Sequence, residues 1–185
     1  MKIVFFDLET QYIYQELGMT DNAIKDPSKL RLAVAGILSK NHHTFFDEGN
    51  VGELFDTLKQ ANLIVGHNVL RFDYKVLQPY LHQNIVKELG EKTFDIMHEL
   101  DKLTGCWISL DDLCKKNVGL KKTVGGIEIP RMWREKQFQK VKDYLLNDLR
   151  MTEAVYNHGK TIGRFMYTHK EYGKVMGEKV VSVRW

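Results

Sequence analysis

Residues 2–10 read KIVFFDLET, a continuous apolar stretch of strand length that runs into Asp7 and Glu9. Such a run suits a strand buried at the centre of a sheet. Side chains at i and i+2 of a strand point to the same side, so both carboxylates share one face. Unpaired carboxylates are costly to bury and are normally paired or bound to metal. Ligands of open α/β sheets also bind beyond the carboxyl ends of strands. The opening therefore predicts both a central strand and a site at its end.

The rest of the chain supplies the partners of that strand. LRLAVAGILS (30–39) and HTFFD (43–47) are strand-like, and the polar stretch 11–29, with Asp26-Pro27, reads as a long connection. Asn50 with Glu53 forms a capping-box pattern that opens a helix over VGELFDTLKQ. LIVG (63–66) is a short buried strand, followed by a helical pattern on Phe72, Val76, Leu77, Tyr80 and Leu81. TFDIM (93–97) suits a fifth strand, and Ser109 with Asp112 caps another helix. The last long helix spans about 137–157, with a buried stripe of Phe138, Val141, Leu145, Leu149, Thr152 and Tyr156. The tail alternates around Gly177-Glu178 like a terminal hairpin. Three strands followed by strands alternating with helices predict an α/β fold, a mixed sheet with helices on both faces.

At 185 residues the expectation is one domain over 1–185, with a motif-bearing core 1–157 and an extension 158–185. The apolar content of 43% excludes global disorder, and no stretch approaches the ~20 apolar residues of a membrane helix. Acids inside the first ten residues argue against a signal peptide, so a cytoplasmic protein is expected. Cys106 and Cys114 match no zinc spacing and read as reduced, partly buried thiols. His42 and His43 lie far in sequence from the acids and are not expected to bind metal. The overall charge of +3 says little, but segment 115–142 holds nine basic and two acidic residues. Trp133 and Phe138 sit among them; the segment reads either as a solvated lysine-rich face or as a surface that grips phosphates and stacks bases. A Walker-type phosphate loop is absent there.

Two further acids join Asp7 and Glu9. Asp73 follows the strand 63–66 through Gly66-His67-Asn68, and Asp148 lies on the last helix with Tyr144 one turn earlier. Four clustered carboxylates form a hard-oxygen site suited to Mg²⁺ or Mn²⁺. FFDLET (5–10), VGHNVLRFDYKVL (65–77) and YLLNDLRMT (144–152) together resemble the three exonuclease motifs of the DEDD superfamily, the ribonuclease-H-like 3′→5′ exonucleases. Tyr144, four residues before Asp148, is similar to the DEDDy branch; the other branch has His five before, where this chain has Asp143.

The resemblance implies a ribonuclease-H-like, mixed five-stranded sheet and a two-metal-ion nuclease that releases nucleoside 5′-monophosphates from DNA or RNA. It implies that Asp7 bridges two divalent cations, that Glu9 and Asp148 hold the one bearing the attacking water, and that Asp73 serves the other. Tyr144 would orient that water, while Leu8, Thr10, Asn68 and Phe72 would surround the terminal nucleotide. Thr10 would meet the 3′-hydroxyl, and His67 would either approach the phosphate or a base or serve as a tight turn. The expected partner is a single-stranded 3′ end, with any polymerase or helicase on a separate polypeptide. The alternative is a non-catalytic ribonuclease-H-like module that binds nucleic acid or acts as a scaffold; a nuclease of very short oligonucleotides is a third reading.

Overall fold

The computed structural model describes residues 1–122, 125–171 and 173–185. Strands β1 (Ile3–Thr10), β2 (Leu32–Ser39), β3 (His42–Phe46), β4 (Leu63–Gly66) and β5 (Thr93–Asp95) form one sheet in the order β3-β2-β1-β4-β5. β1 pairs antiparallel with β2 and parallel with β4, β2 runs antiparallel to β3, and β4 runs parallel to β5. The central strand is thus the apolar run that the sequence singles out. The carboxyl ends of β1, β4 and β5 meet at one edge.

Helices α1 (Val51–Lys59), α2 (Asp73–Leu77) and α3 (Ile85–Leu89) cover one face, where Val4, Phe6, Leu8, Ile64 and Leu77 share a core. On the other face lie α4 (Ile96–Thr104), α5 (Leu110–Asn117), α6 (Ile129–Arg134) and α7 (Phe138–Ile162), around Phe5, Val34, Val65, Leu145 and Leu149. A second, two-stranded sheet, β6 (Arg164–Glu171) with β7 (Lys174–Ser182), packs against α5 and α7. Helices flank both faces of the mixed five-stranded sheet, as the pattern of elements predicts. No helix among the described residues is long and apolar enough to cross a membrane.

Several boundaries differ from expectation, each for a local reason. Asn50 precedes α1 but does not cap it, because its side-chain oxygen accepts the Asp47 N–H in the preceding turn. The helix expected to continue through Leu81 stops at Leu77 and passes into a 3₁₀ turn at Gln78–Tyr80, where Pro79 removes a donor. β5 ends at Asp95, whose carboxylate accepts the His98 N–H and so starts α4 at Ile96. The terminal hairpin turns at Gly173 (φ +78°), not at Gly177-Glu178, which lies within β7 beside a bulge. Phe138, expected in the buried stripe of α7, is 42% exposed and packs on Trp133 instead. Ser109 does cap α5, accepting the Asp112 N–H at 3.2 Å. Both cysteines are free, and burial pushes the Cys114 thiol up to about 12.

Candidate active site

Asp7 and Glu9 lie on the face of β1 that also carries Phe5, the face covered by α7. Gly36 sits opposite Asp7 on β2. A Cβ there would come within 2.8 Å of Leu149 and 3.1 Å of Leu145, so its absence lets α7 settle close to the sheet. That approach brings Tyr144 and Asp148, one turn apart and both buried, over the two strand acids. Carboxylate oxygens of Asp7, Glu9 and Asp148 all lie within 4.8 Å of one another.

Asp73 comes from the other side, at the start of α2. The loop before it follows Gly66, where a Cβ would collide with Val69 at 2.3 Å and with the Phe6 carbonyl at 2.9 Å. Asn68 turns the chain at φ +68°. Both oxygens of buried Asp95 fasten this loop, one accepting the Asn68 N–H at 2.8 Å and the other the Leu70 N–H at 3.0 Å. The loop delivers Asp73 next to Asp7, close enough for the Asp7 charge to raise the Asp73 carboxyl.

The site is electrostatically strained. Burial, then the charge of Asp148, raises the Asp7 carboxyl to about 7. Burial, with Asp7 as the next cause, holds Glu9 and Asp73 well above the ordinary carboxylate range. Asp148 is raised by burial too, and the Lys122 ammonium pulls it back. Lys122 is the protein's own counter-charge here. It forms an ion pair with Asp148 and donates to the Tyr144 hydroxyl at 2.9 Å. Burial works against its charge, yet Asp148 and Tyr144 hold the ammonium above the ordinary lysine range. Burial likewise raises the Tyr144 phenol, so it stays protonated at neutral pH.

One ammonium does not satisfy four carboxylates. The Asp73 Oδ1 and Asp148 Oδ1 atoms are buried without a hydrogen-bond partner. Clustered hard oxygens with orphaned lone pairs suit a divalent cation such as Mg²⁺ or Mn²⁺. No other cluster of three or more His, Cys, Asp or Glu ligand atoms this compact occurs among the described residues.

Beside the acids opens a cavity of about 240 Å³, lined by Leu8, Glu9, Thr10, Phe72, Ile127 and Pro130, with Tyr12 and Tyr14 at its rim. It brings three of the expected nucleotide-contacting positions together with an acid of the cluster. Phe72 contributes to both settings, packing its partly buried ring on the core of its face while lining the cavity. His67 and Asn68 do not line it. The His67 ring bonds the Ile108 carbonyl at 2.9 Å, and burial holds its basicity below the ordinary histidine range. Asn68 serves the turn held by Asp95. His42 and His43 are exposed on β3, the far edge strand. Two residues near the acids carry no clear sequence signal: Lys122, one of nine basic residues in 115–142, and Asp95, inside the apolar run 93–97 that predicts a strand.

No curated protein matches the sequence. The fold is similar to a family B DNA polymerase from the hyperthermophilic archaeon Pyrobaculum calidifontis, with a TM-score of 0.60 and 16% identity over 86% of this chain and 24% of that one. It is also similar to exonuclease I, with a TM-score of 0.56 and 14% identity over 86% of this chain and 41% of that one. The chain spans less than half the length of either protein. The RNase_H superfamily profile matches residues 4–158, from the first apolar strand to a point within α7 past Asp148. By that match, which takes in every acid of the site, the chain belongs to the RNase_H superfamily.

Proposed function

We propose that this protein is a metal-dependent 3′→5′ exonuclease of the DEDDy type, acting on single-stranded ends of DNA or RNA. The observation that carries the reading is the convergence of Asp7, Glu9 and Asp148 within 4.8 Å, with Tyr144 beside them and an orphaned oxygen on Asp148. Two divalent cations, Mg²⁺ or Mn²⁺, held by Asp7, Glu9, Asp73 and Asp148, would supply an acidified water and neutralise charge on the phosphate. The likeness to exonuclease I supports the fold of such an enzyme, and the acids with their tyrosine support the chemistry.

The chain's own groups have separate tasks. The protonated Tyr144 hydroxyl orients the attacking water; with its proton held so firmly, it is a poor general base. Lys122 keeps Asp148 and the phenol in place and offers a positive charge to an incoming phosphate. The cavity lined by Leu8, Thr10 and Phe72 receives the terminal nucleotide, with the Thr10 region meeting the 3′-hydroxyl. Water attacks phosphorus, the bond to the 3′ oxygen of the preceding nucleotide breaks, and a nucleoside 5′-monophosphate leaves. The remaining strand keeps a free 3′-hydroxyl for the next cycle.

The test uses 5′-labelled single-stranded DNA and RNA of one sequence with Mn²⁺ or EDTA. A metal-dependent ladder shortening from the 3′ end, absent for Asp7→Asn and for a 3′-phosphate-blocked strand, is the expected result. Undegraded substrate from folded, cation-binding protein overturns the reading in favour of a binding module.

A further inference from the structure

A second cavity lies on the same side of the sheet as the acids. It measures about 270 Å³ and is lined by Val34, Phe45, Asp47, Lys142 and the packed pair Trp133 and Phe138. The Trp133 and Phe138 rings stand 4.5 Å apart at 59°, and the Lys142 ammonium lies over the Phe45 ring at 5.7 Å from its centroid. Trp133 is only partly buried and Phe138 is exposed, so both present ring surface to solvent.

Three connections tie this groove to the acid site. Val34 in its lining is the cross-strand partner of Glu9, which lines the cavity beside the acids. Pro130 and Trp133, three residues apart on α6, line one cavity each. Phe45 also faces Gly36, the partner of Asp7, which puts it two strands or roughly 10 Å across the sheet from that acid.

Charge limits the occupant. Lys136, Lys140 and Lys142 run past Phe138 and have no acidic partner among the described residues. Asp47, the one acid in the lining, already spends a carboxylate oxygen on the Gly49 N–H. Arg134 is likewise engaged, paired with Glu16 and lying over the Tyr12 ring, so it fastens the 11–17 turn to α6. A solvent-facing aromatic pair beside unpaired lysines matches a base stacked on the exposed ring surface, with the neighbouring phosphates on the ammonium groups.

We propose that the Trp133–Phe138 groove is a base-stacking subsite for an internal nucleotide of the single-stranded substrate, upstream of the end held at the acids. The subsite rests on the exonuclease reading for its substrate. It makes the protein selective for strands long enough to reach both cavities, in contrast to a nuclease of dinucleotides.

The test has two arms. In the first, kcat/KM is measured for a dinucleotide and a decanucleotide of the same 3′ sequence, in wild type, Phe138→Ala and Trp133→Ala. Wild type should favour the decanucleotide, and each variant should shrink that preference roughly tenfold, the scale of one lost base stack. Phe138 is exposed, so its variant should fold even where Trp133→Ala does not. In the second arm, a single-stranded oligonucleotide with one photoreactive 5-iodouracil, moved stepwise along the strand, is irradiated with EDTA-treated protein. Adducts mapped by mass spectrometry should fall on Trp133 or Phe138 for a base upstream of the 3′ end. Adducts there without any turnover would uphold the groove and defeat the nuclease reading. An unchanged length preference in Phe138→Ala, or adducts confined elsewhere, overturns the groove while leaving the nuclease intact. A dimer in solution that Phe138→Ala breaks also overturns it, since the occupant would then be a second copy of the chain.

Discussion

The acids near the carboxyl edge of this sheet, buried or half-buried, fall into two sets that the protein treats in opposite ways. Asp95 is 2% exposed and has donors on both oxygens, from the backbone of Asn68, Leu70 and His98. The set of Asp7, Glu9, Asp73 and Asp148 has one ammonium among four carboxylates and two orphaned oxygens. A carboxylate with its lone pairs filled by backbone N–H groups stabilises the loop it ties. Carboxylates left unsatisfied in low dielectric raise the free energy of the fold and keep it raised until a cation arrives. Hydrogen-bond accounting alone thus separates the satisfied acid from the set proposed to hold cations.

Substituting one acid from each set gives the sharpest break. Asp7→Asn should cut turnover by roughly 10³-fold or more, since cation stabilisation of the transition state is worth several kcal/mol. The same variant should melt higher than wild type in EDTA, because it removes a repelling charge, and should lose its stabilisation by Mn²⁺. Calorimetry with and without metal reads both effects, and an unchanged melting point in EDTA would contradict the strain assigned to the set. Asp95→Ala should do the reverse, destabilising the fold by roughly 3 kcal/mol as its bonded N–H groups lose a charged acceptor. A shifted urea midpoint, with the cation response of the folded fraction retained, is the expected outcome.

The comparison sharpens with pH. Unfolded carboxyls lose their protons near 4, whereas folded Asp7 keeps its own until about 7. Between those values the folded state binds more protons, so stability of the metal-free protein falls as pH rises, by up to ~1.4 kcal/mol per pH unit for each such group. Saturating Mg²⁺ or Mn²⁺ should flatten the fall, and melting curves from pH 4 to 8 in EDTA and in metal measure it. The smallest effect belongs to Tyr144→Phe. Losing a water-orienting hydroxyl should slow turnover by about tenfold, or ~1.4 kcal/mol. Its melting shift on adding Mn²⁺ should match wild type, because no metal-site carboxylate changes.

What the sequence discloses depends on whether a residue's role is local. Asp7 and Glu9 are legible because alternation along one strand already places them together. The spacing of Tyr144 and Asp148 on a helix is legible for the same reason. Lys122 is not, because it meets Asp148 only once the residue itself lies against α7 in the folded chain, and no periodicity marks it within a basic run. Asp95 had a local signal, an acid three residues before a bonded N–H at a helix start. The apolar Ile96 and Met97 extended the strand reading past it. Phe138 fits the helical stripe by spacing, yet it stands at the exposed first turn of α7, where Trp133 is its neighbour and not the core.

The alternation in β1 also sets a rule about mutation by length instead of by kind. Conservative exchanges of Val4 or Phe6 would be felt as packing defects, graded by volume. A single codon gained or lost between Ile3 and Asp7 would turn every following side chain to the opposite face. Both acids would then point into the apolar core beneath α1 and α2, away from Asp148. This strand should therefore tolerate many spellings and no change of length.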